Sequence, residues 1–122
     1  MNIIPVEAAS VMEVVALYND YSRPKDAPIS EETAQQTLQT IRDQHGEVYV
    51  AIIDNEIIGT YSMYCCFNLA RATRPFGVIE NVICKKSHRR QGIGKALMQH
   101  AISIAESGGW YKVCLQLSLI HI

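Results

Sequence analysis

The stretch from Phe76 to Ser107 constrains the fold more than any other part of this chain. "FGVIENVICKK" reads as a strand of central character, nearly all apolar in "VIENVIC" except for Glu80 and Asn81. A helix from about Gln91 to Ser107 follows, with Leu97, Met98, Ala101, Ile102 and Ala105 on one face. Gly108 and Gly109 supply its stop. Between strand and helix lies "SHRRQGIGKAL", which sets two arginines, a glutamine and two glycines at a helix start. Gly92 and Gly94 leave the backbone bare, so that consecutive N–H groups can come close to an anion. Those groups are the unpaired donors of the first helical turn, and the helix dipole adds to their attraction for negative charge. Arg89 and Arg90 supply further charge-assisted bonds. A pyrophosphate suits such a turn, although a basic turn that merely starts a helix has the same composition.

Two well-known phosphate loops do not fit. In a P-loop, Gly-Lys is followed by Ser or Thr and preceded by a glycine five positions before its own; here Ala96 follows Lys95 and Arg89 holds the earlier position. A dinucleotide fingerprint needs glycine where Leu97 stands. The pattern that remains is Arg89-Arg90-Gln91-Gly92-Ile93-Gly94, or R/Q-x-x-G-x-G/A.

The rest of the chain sets the frame around this unit. Its 122 residues suit one domain, 1–122. The formal net charge is -1, so no global field draws the chain to nucleic acid or acidic lipid, and any anion must be held locally. No apolar run approaches the roughly 20 residues that span a membrane. "MNIIPVEAAS" does not read as a signal peptide. Cys65, Cys66, Cys84 and Cys114 form no CxxC pair and read as buried reduced thiols with no metal site. These features together predict a cytoplasmic location.

"NIIPVE" reads as a first strand. "SVMEVVALYNDY" follows as a helix, with Ser10 in position to cap it and Val11, Val14, Val15 and Tyr18 at helical spacing. "SRPKDAP" breaks that helix. "SEETAQQTLQTIRD" opens with Ser30 as N-cap and has a thin apolar face of Ala34, Leu38 and Ile41. "EVYVAII" and "EIIGTYSMYCCFN" form a hairpin through Asp54-Asn55, "LARATRP" is a loop, and "YKVCLQL" is the last clear strand. The expected class is α+β: a mixed, largely antiparallel central sheet flanked by helices, with one crossover helix near the end.

The segment "VIENVICKKSHRRQGIGKALMQHAISIAESGGWYKVCLQL" resembles the central part of the GNAT superfamily of acyl-CoA-dependent acetyltransferases, and a looser likeness extends back over the hairpin and the early helices. The resemblance implies acetyl-CoA as co-substrate, no metal, and transfer of an acetyl group to a primary amine of a small molecule or peptide. It places the backbone of Val82, Ile83 and Cys84 along the pantetheine arm and wraps Arg89, Arg90, Gln91, Gly92, Ile93, Gly94 and Lys95 around the pyrophosphate. A backbone N–H near Val82 would polarise the thioester carbonyl. A primary amine with a pKa of about 10.4 is only about one part in a thousand neutral at pH 7.4, a deficit of roughly 4 kcal/mol that a base can recover in part. Glu80, in an apolar strand just before the turn, is the candidate base; a carboxylate satisfied within the sheet is the alternative. A non-catalytic acyl-CoA-binding module is the competing function.

Other residues are less telling. His88 faces phosphate or, more in keeping with its position, solvent; His100 reads as a surface or boundary residue. Tyr61 and Tyr64 line the acceptor side or pack in the sheet, and Arg71 and Arg74 mark a solvated loop tip. The helix and two strands with which the family usually continues, including a tyrosine that commonly protonates the leaving thiolate, have no counterpart after "VCLQL". The fold is therefore expected to be truncated at the C-terminus. "YKVCLQLSLIHI" would then form an apolar sheet edge, which predicts a homodimer or higher oligomer through this strand.

Overall fold

The computed structural model describes residues 1–21 and 26–115. Seven consecutive residues, Ile57 to Met63, are buried, and only a strand covered on both faces can hide such a run. This is β3 (Glu56–Cys66), the middle of a five-stranded sheet ordered β1-β2-β3-β4-β5, with β1 (Asn2–Pro5), β2 (Gly46–Ile53), β4 (Phe76–Cys84) and β5 (Val113–Leu115). The first four strands pair antiparallel, and β5 pairs parallel to β4 through Gly77–Val113, Val78–Cys114 and Ile79–Leu115. Pro5 is tolerated because β1 lies on the sheet edge. Asp54 and Asn55 join β2 to β3 with φ of 50° and 63°, the left-handed pair that a two-residue hairpin turn requires.

Helices cover the two faces separately. α1 (Val11–Tyr21) and α2 (Glu31–Asp43) bury Val11, Val14, Leu17, Ala34 and Leu38 against Val48, Val50 and Ile57. A 3-10 turn, Ala8–Ser10, leads into α1, so Ser10 belongs to that turn and does not cap the helix from outside. Ser30 does cap α2: its Oγ accepts from the Thr33 N–H at 3.1 Å. Arg42, at the far end of α2, pairs with Glu47 at 3.0 Å and donates to the Val6 carbonyl, tying the helix to β2 and to the residue that follows β1.

The opposite face carries α4 (Ile93–Ser107), the crossover between β4 and β5. Ile93, Leu97, Ala101 and Ala105 are buried, each four residues from the last. Ile104 flanks this stripe, whereas Ile102 is 49% exposed; of the expected face of Leu97, Met98, Ala101, Ile102 and Ala105, Ile102 alone turns to the outside. Gly59 lets the start of α4 settle on β3, since a Cβ there would lie 3.1 Å from Ile93 Cγ2 and 3.3 Å from the Ile83 carbonyl. Leu97 is fully buried at this contact, and its truncation to alanine would cost about 2–5 kcal/mol. The expected loop contains a single turn, α3 (Ala70–Thr73), whose Arg71, Ala72 and Thr73 all have left-handed φ.

The succession of strands and helices along the chain, the antiparallel majority and the late crossover agree with the sequence-based expectation. Of the apolar C-terminal edge, only β5 falls among the described residues; the segment from Gln116 onward, on which the oligomer expectation rests, lies outside them.

Candidate functional site

The chain leaves the sheet after Cys84 and reaches α4 in eight residues. The Lys85 N–H still bonds the Ile58 carbonyl at 2.7 Å. A 3-10 turn, Lys86–His88, follows. Arg89 is extended, Arg90 takes a left-handed φ of 64° at a cost of about 1–2 kcal/mol, and Gly92 takes φ 79°, a conformation glycine adopts freely. Gly92 then opens α4 with no side-chain cap and no acidic residue in the first turn. The helical ladder begins only with the Ala96 N–H, on the Gly92 carbonyl at 3.0 Å. The N–H groups of Ile93, Gly94 and Lys95 therefore have no helical acceptor. A Cβ on Gly94 would meet nothing within 4 Å, so the approach to these donors is open. Arg90, Gln91 and Lys95 are exposed, while the buried Ile93 side chain pins the turn to the core.

Strand β4 is bulged just before this turn. Thr60 pairs with Ile83 and Ser62 with Glu80, so Tyr61 alone opposes both Asn81 and Val82. Asn81 absorbs the extra residue with φ 55°. Without the bulge Glu80 and Val82 would share a face. With it, Glu80 stands opposite Ser62 on the α1–α2 side and Val82 packs among the residues beneath α4. Given the Lys85–Ile58 bond, antiparallel alternation turns the amide groups of Ile83 toward β3 and those of Val82 and Cys84 away from it. The three residues expected to offer backbone to a ligand thus divide: those of Val82 and Cys84 face away from β3, and Ile83 spends its own inside the sheet.

The carbonyl of Cys84 is engaged. Tyr21, the last residue of α1, donates its hydroxyl to it, and the same hydroxyl accepts from Arg89 Nε at 3.1 Å and from Arg89 Nη2. The Arg89 guanidinium lies 4.9 Å from the Tyr21 ring centroid. Sequence reasoning missed Tyr21, and a tyrosine at a helix end gives no signal of such a role. Arg90 and Lys95 have no ion-pair partner among the described residues, whereas Lys85 pairs with Glu56.

Glu80 is half-buried in a polar belt on the α1–α2 face. Tyr18 bonds Ser62 and Thr60 there, and Thr60 Oγ1 donates to the Tyr49 carbonyl at 2.8 Å. Burial raises the Tyr64 hydroxyl above its ordinary pKa, and the charge of Glu80 raises it further. Tyr18 also lines an apolar cavity of about 240 Å³ among α1, α2 and β2, with Val14, Leu38, Ile41 and Val48 on its walls. The cavity is set apart from the glycine turn, and Tyr18 is the side chain that links it to the belt around Glu80.

The remaining candidates make contacts within the fold. Tyr61 is fully buried under α4; its hydroxyl shares a 2.7 Å hydrogen bond with Nδ1 of the half-buried His100, and Tyr49 stacks on its ring. Arg74 Nε donates to the Gly109 carbonyl at 3.0 Å, and Arg71 lies over the Tyr111 ring. His88 Nδ1 is 2.8 Å from Ser87 Oγ. All four cysteines are free and half-buried, less enclosed than expected, and burial raises the Cys84 thiol against the opposing effect of Arg89. No group of three or more potential metal ligands occurs among the described residues, and no helix among them is long and apolar enough to cross a membrane.

Both the sequence and the fold are similar to those of known proteins. Residues 14–118 match the acetyltransferase (GNAT) family. The chain belongs to that family. As a GNAT chain it is similar to the glucosamine 6-phosphate N-acetyltransferase of Trypanosoma brucei brucei, with 39% identity over 62 residues, 51% of this chain and 42% of that protein. It is likewise similar to the Schizosaccharomyces pombe enzyme of the same name, with 31% identity over 81 residues, 63% of this chain and 73% of that protein. Among solved structures, a Trypanosoma brucei acetyltransferase superposes with a TM-score of 0.87 at 25% identity, over 96% of this chain and 82% of that one. The Arabidopsis thaliana glucosamine-6-phosphate N-acetyltransferase shares the fold, with a TM-score of 0.85 at 20% identity over 97% of this chain and 82% of that one. The GNAT fold here is the mixed, mostly antiparallel five-stranded sheet described above.

Proposed function

We propose that this GNAT chain is an N-acetyltransferase that moves the acetyl group of acetyl-CoA to a primary amine by direct attack within one complex of both substrates. The observation that carries the reading is the open start of α4, where the bare N–H groups of Ile93, Gly94 and Lys95 stand beside Arg90 with no side chain among the described residues capping them. The site fits acetyl-CoA as a substrate: the helix start takes the pyrophosphate, and the edge amides of Val82 and Cys84 take the pantetheine arm. Val82 N–H polarises the thioester carbonyl. Glu80 accepts the ammonium proton, directly or through water. The amine nitrogen then bonds the carbonyl carbon as the carbon–sulfur bond breaks, CoA leaves as thiolate, and the newly bonded nitrogen gives up its second proton to water to leave the neutral amide. A model thiol has a pKa near 8.5, so departure without a proton donor is tolerable.

The acceptor is a small-molecule or peptide amine. Glucosamine 6-phosphate is the first to try, because two relatives carry that substrate in their names. The test is release of free thiol from acetyl-CoA over a panel of amines that includes it. Turnover with one member supports the reading, and tight acetyl-CoA binding with no turnover on any member contradicts it. Glu80→Gln should lower kcat about 100-fold or more near neutrality, with a loss that shrinks as rising pH supplies free amine. A rate equal to that of the wild type across that range would leave Glu80 a structural residue.

A further inference from the structure

We propose that Tyr21 is an intramolecular strap that occupies the Cys84 end of the acyl-CoA site, leaving the start of α4 open, until the ligand displaces it; the inference rests on the acetyl-CoA reading of that site. The Tyr21 hydroxyl has one proton to donate and two lone pairs, and all three are used: it donates to the Cys84 carbonyl and accepts from Arg89 Nε and Nη2. Both partners belong to the site. Cys84 lies where β4 turns its amide groups away from β3, and β5 pairs only with Gly77–Ile79 among the described residues. Its carbonyl is therefore an acceptor on the strand edge, the kind an extended, amide-bearing ligand uses when it adds to a sheet. Arg89 begins the glycine turn, yet its guanidinium is folded onto the ring and hydroxyl of Tyr21.

One side chain thus engages the edge acceptor and a cation of the turn together. A ligand that pairs with Cys84 and draws Arg89 toward its phosphates has to break all three bonds, so the strap lowers apparent affinity. Because Tyr21 ends α1, its release also frees the end of the helix that carries Tyr18, on the face where Glu80 lies. Loading of acyl-CoA is thereby coupled to the acceptor side of the sheet.

The test is calorimetric titration of acetyl-CoA into the wild-type chain and into Tyr21→Phe, which keeps the ring over Arg89 and removes only the hydroxyl. The strap predicts that Tyr21→Phe binds about five- to tenfold more tightly, the gain from no longer breaking one or two net hydrogen bonds. Its thermal midpoint should be equal to or slightly below that of the wild type. A residue that merely supports the site would lower affinity and midpoint together. Binding to the wild type with equal or weaker affinity in Tyr21→Phe overturns the strap alone. Failure of both proteins to bind acetyl-CoA overturns the acyl-CoA reading and the strap with it.

Discussion

Two helices of this protein begin in opposite ways. At α2, Ser30 is extended, its Oγ accepts from the Thr33 N–H, and Glu31 and Glu32 place negative charge in the first turn. At α4, Gly92 is left-handed, no side chain caps the helix, and the nearby charges are those of Arg90 and Lys95. The first start satisfies its donors and its dipole from within the chain. The second has neither among the described residues and forgoes about 1 kcal/mol of capping. The contrast teaches that α4 is not simply a poorly made helix. Its body is as well packed as that of α2, with Leu97 and Ala101 fully buried, and only its first turn is left open.

Closing α4 in the manner of α2 should have the largest effect. Gly94→Asp puts a carboxylate among the bare N–H groups, at a position where a new side chain meets nothing. Acetyl-CoA affinity by calorimetry should fall about 10- to 100-fold, the loss expected when charge-assisted bonds are replaced by repulsion. The thermal midpoint should hold or rise, since an acid in a first turn stabilises by about 0.3–1 kcal/mol. Unchanged affinity would break the comparison. The converse change, Ser30→Ala, should cost about 1 kcal/mol in chemical denaturation while leaving acetyl-CoA affinity as it was. Were affinity to drop as well, the start of α2 would belong to the site.

The smallest effect concerns where the ligand-related part of α4 ends. Burial lowers the pKa of His100 below its ordinary 6.5, so as pH falls the unfolded chain takes up that proton before the folded one does. His100 therefore has no effect on stability well above pH 6.5 and removes some progressively below it. His100→Gln should show a shallower fall in thermal midpoint between pH 7.5 and 5.5 than the wild type, with acetyl-CoA affinity unchanged. An equally steep fall would remove His100 as a cause, and altered affinity would extend the site two turns along the helix.

What could be read from the sequence was local. Asp54-Asn55 announced the hairpin because few residues tolerate the left-handed φ of 50° and 63° found there. The turn into α4 was legible because Gly92 and the apolar spacing that follows it lie next to one another along the chain. The bulge was not legible, for in a strand apolar on both faces a change of side leaves no mark in the pattern. Asn81, a residue that accepts φ 55°, was the one trace of it. That bulge separates Glu80 from Val82, and only the pairing register distinguishes Val82 and Cys84 from Ile83. On α4, a few tens of degrees of rotation exchanged Ile102 for Ile104, which a pattern of apolar residues on several sides of a helix cannot decide. Tyr21 and Arg89 stand 68 residues apart, and nothing in either neighbourhood points to the other.

The claim that the first turn of α4 is the anion seat can be observed amide by amide. Proton–nitrogen correlation spectra of the labelled chain, titrated with acetyl-CoA, report each backbone N–H as it gains an acceptor. The amides of Ile93, Gly94 and Lys95 should move downfield in proton shift and saturate together, while those of Glu31, Glu32 and Thr33 at the start of α2 stay in place. Saturable binding that leaves the α4 amides unmoved, or moves both helix starts alike, would contradict the account.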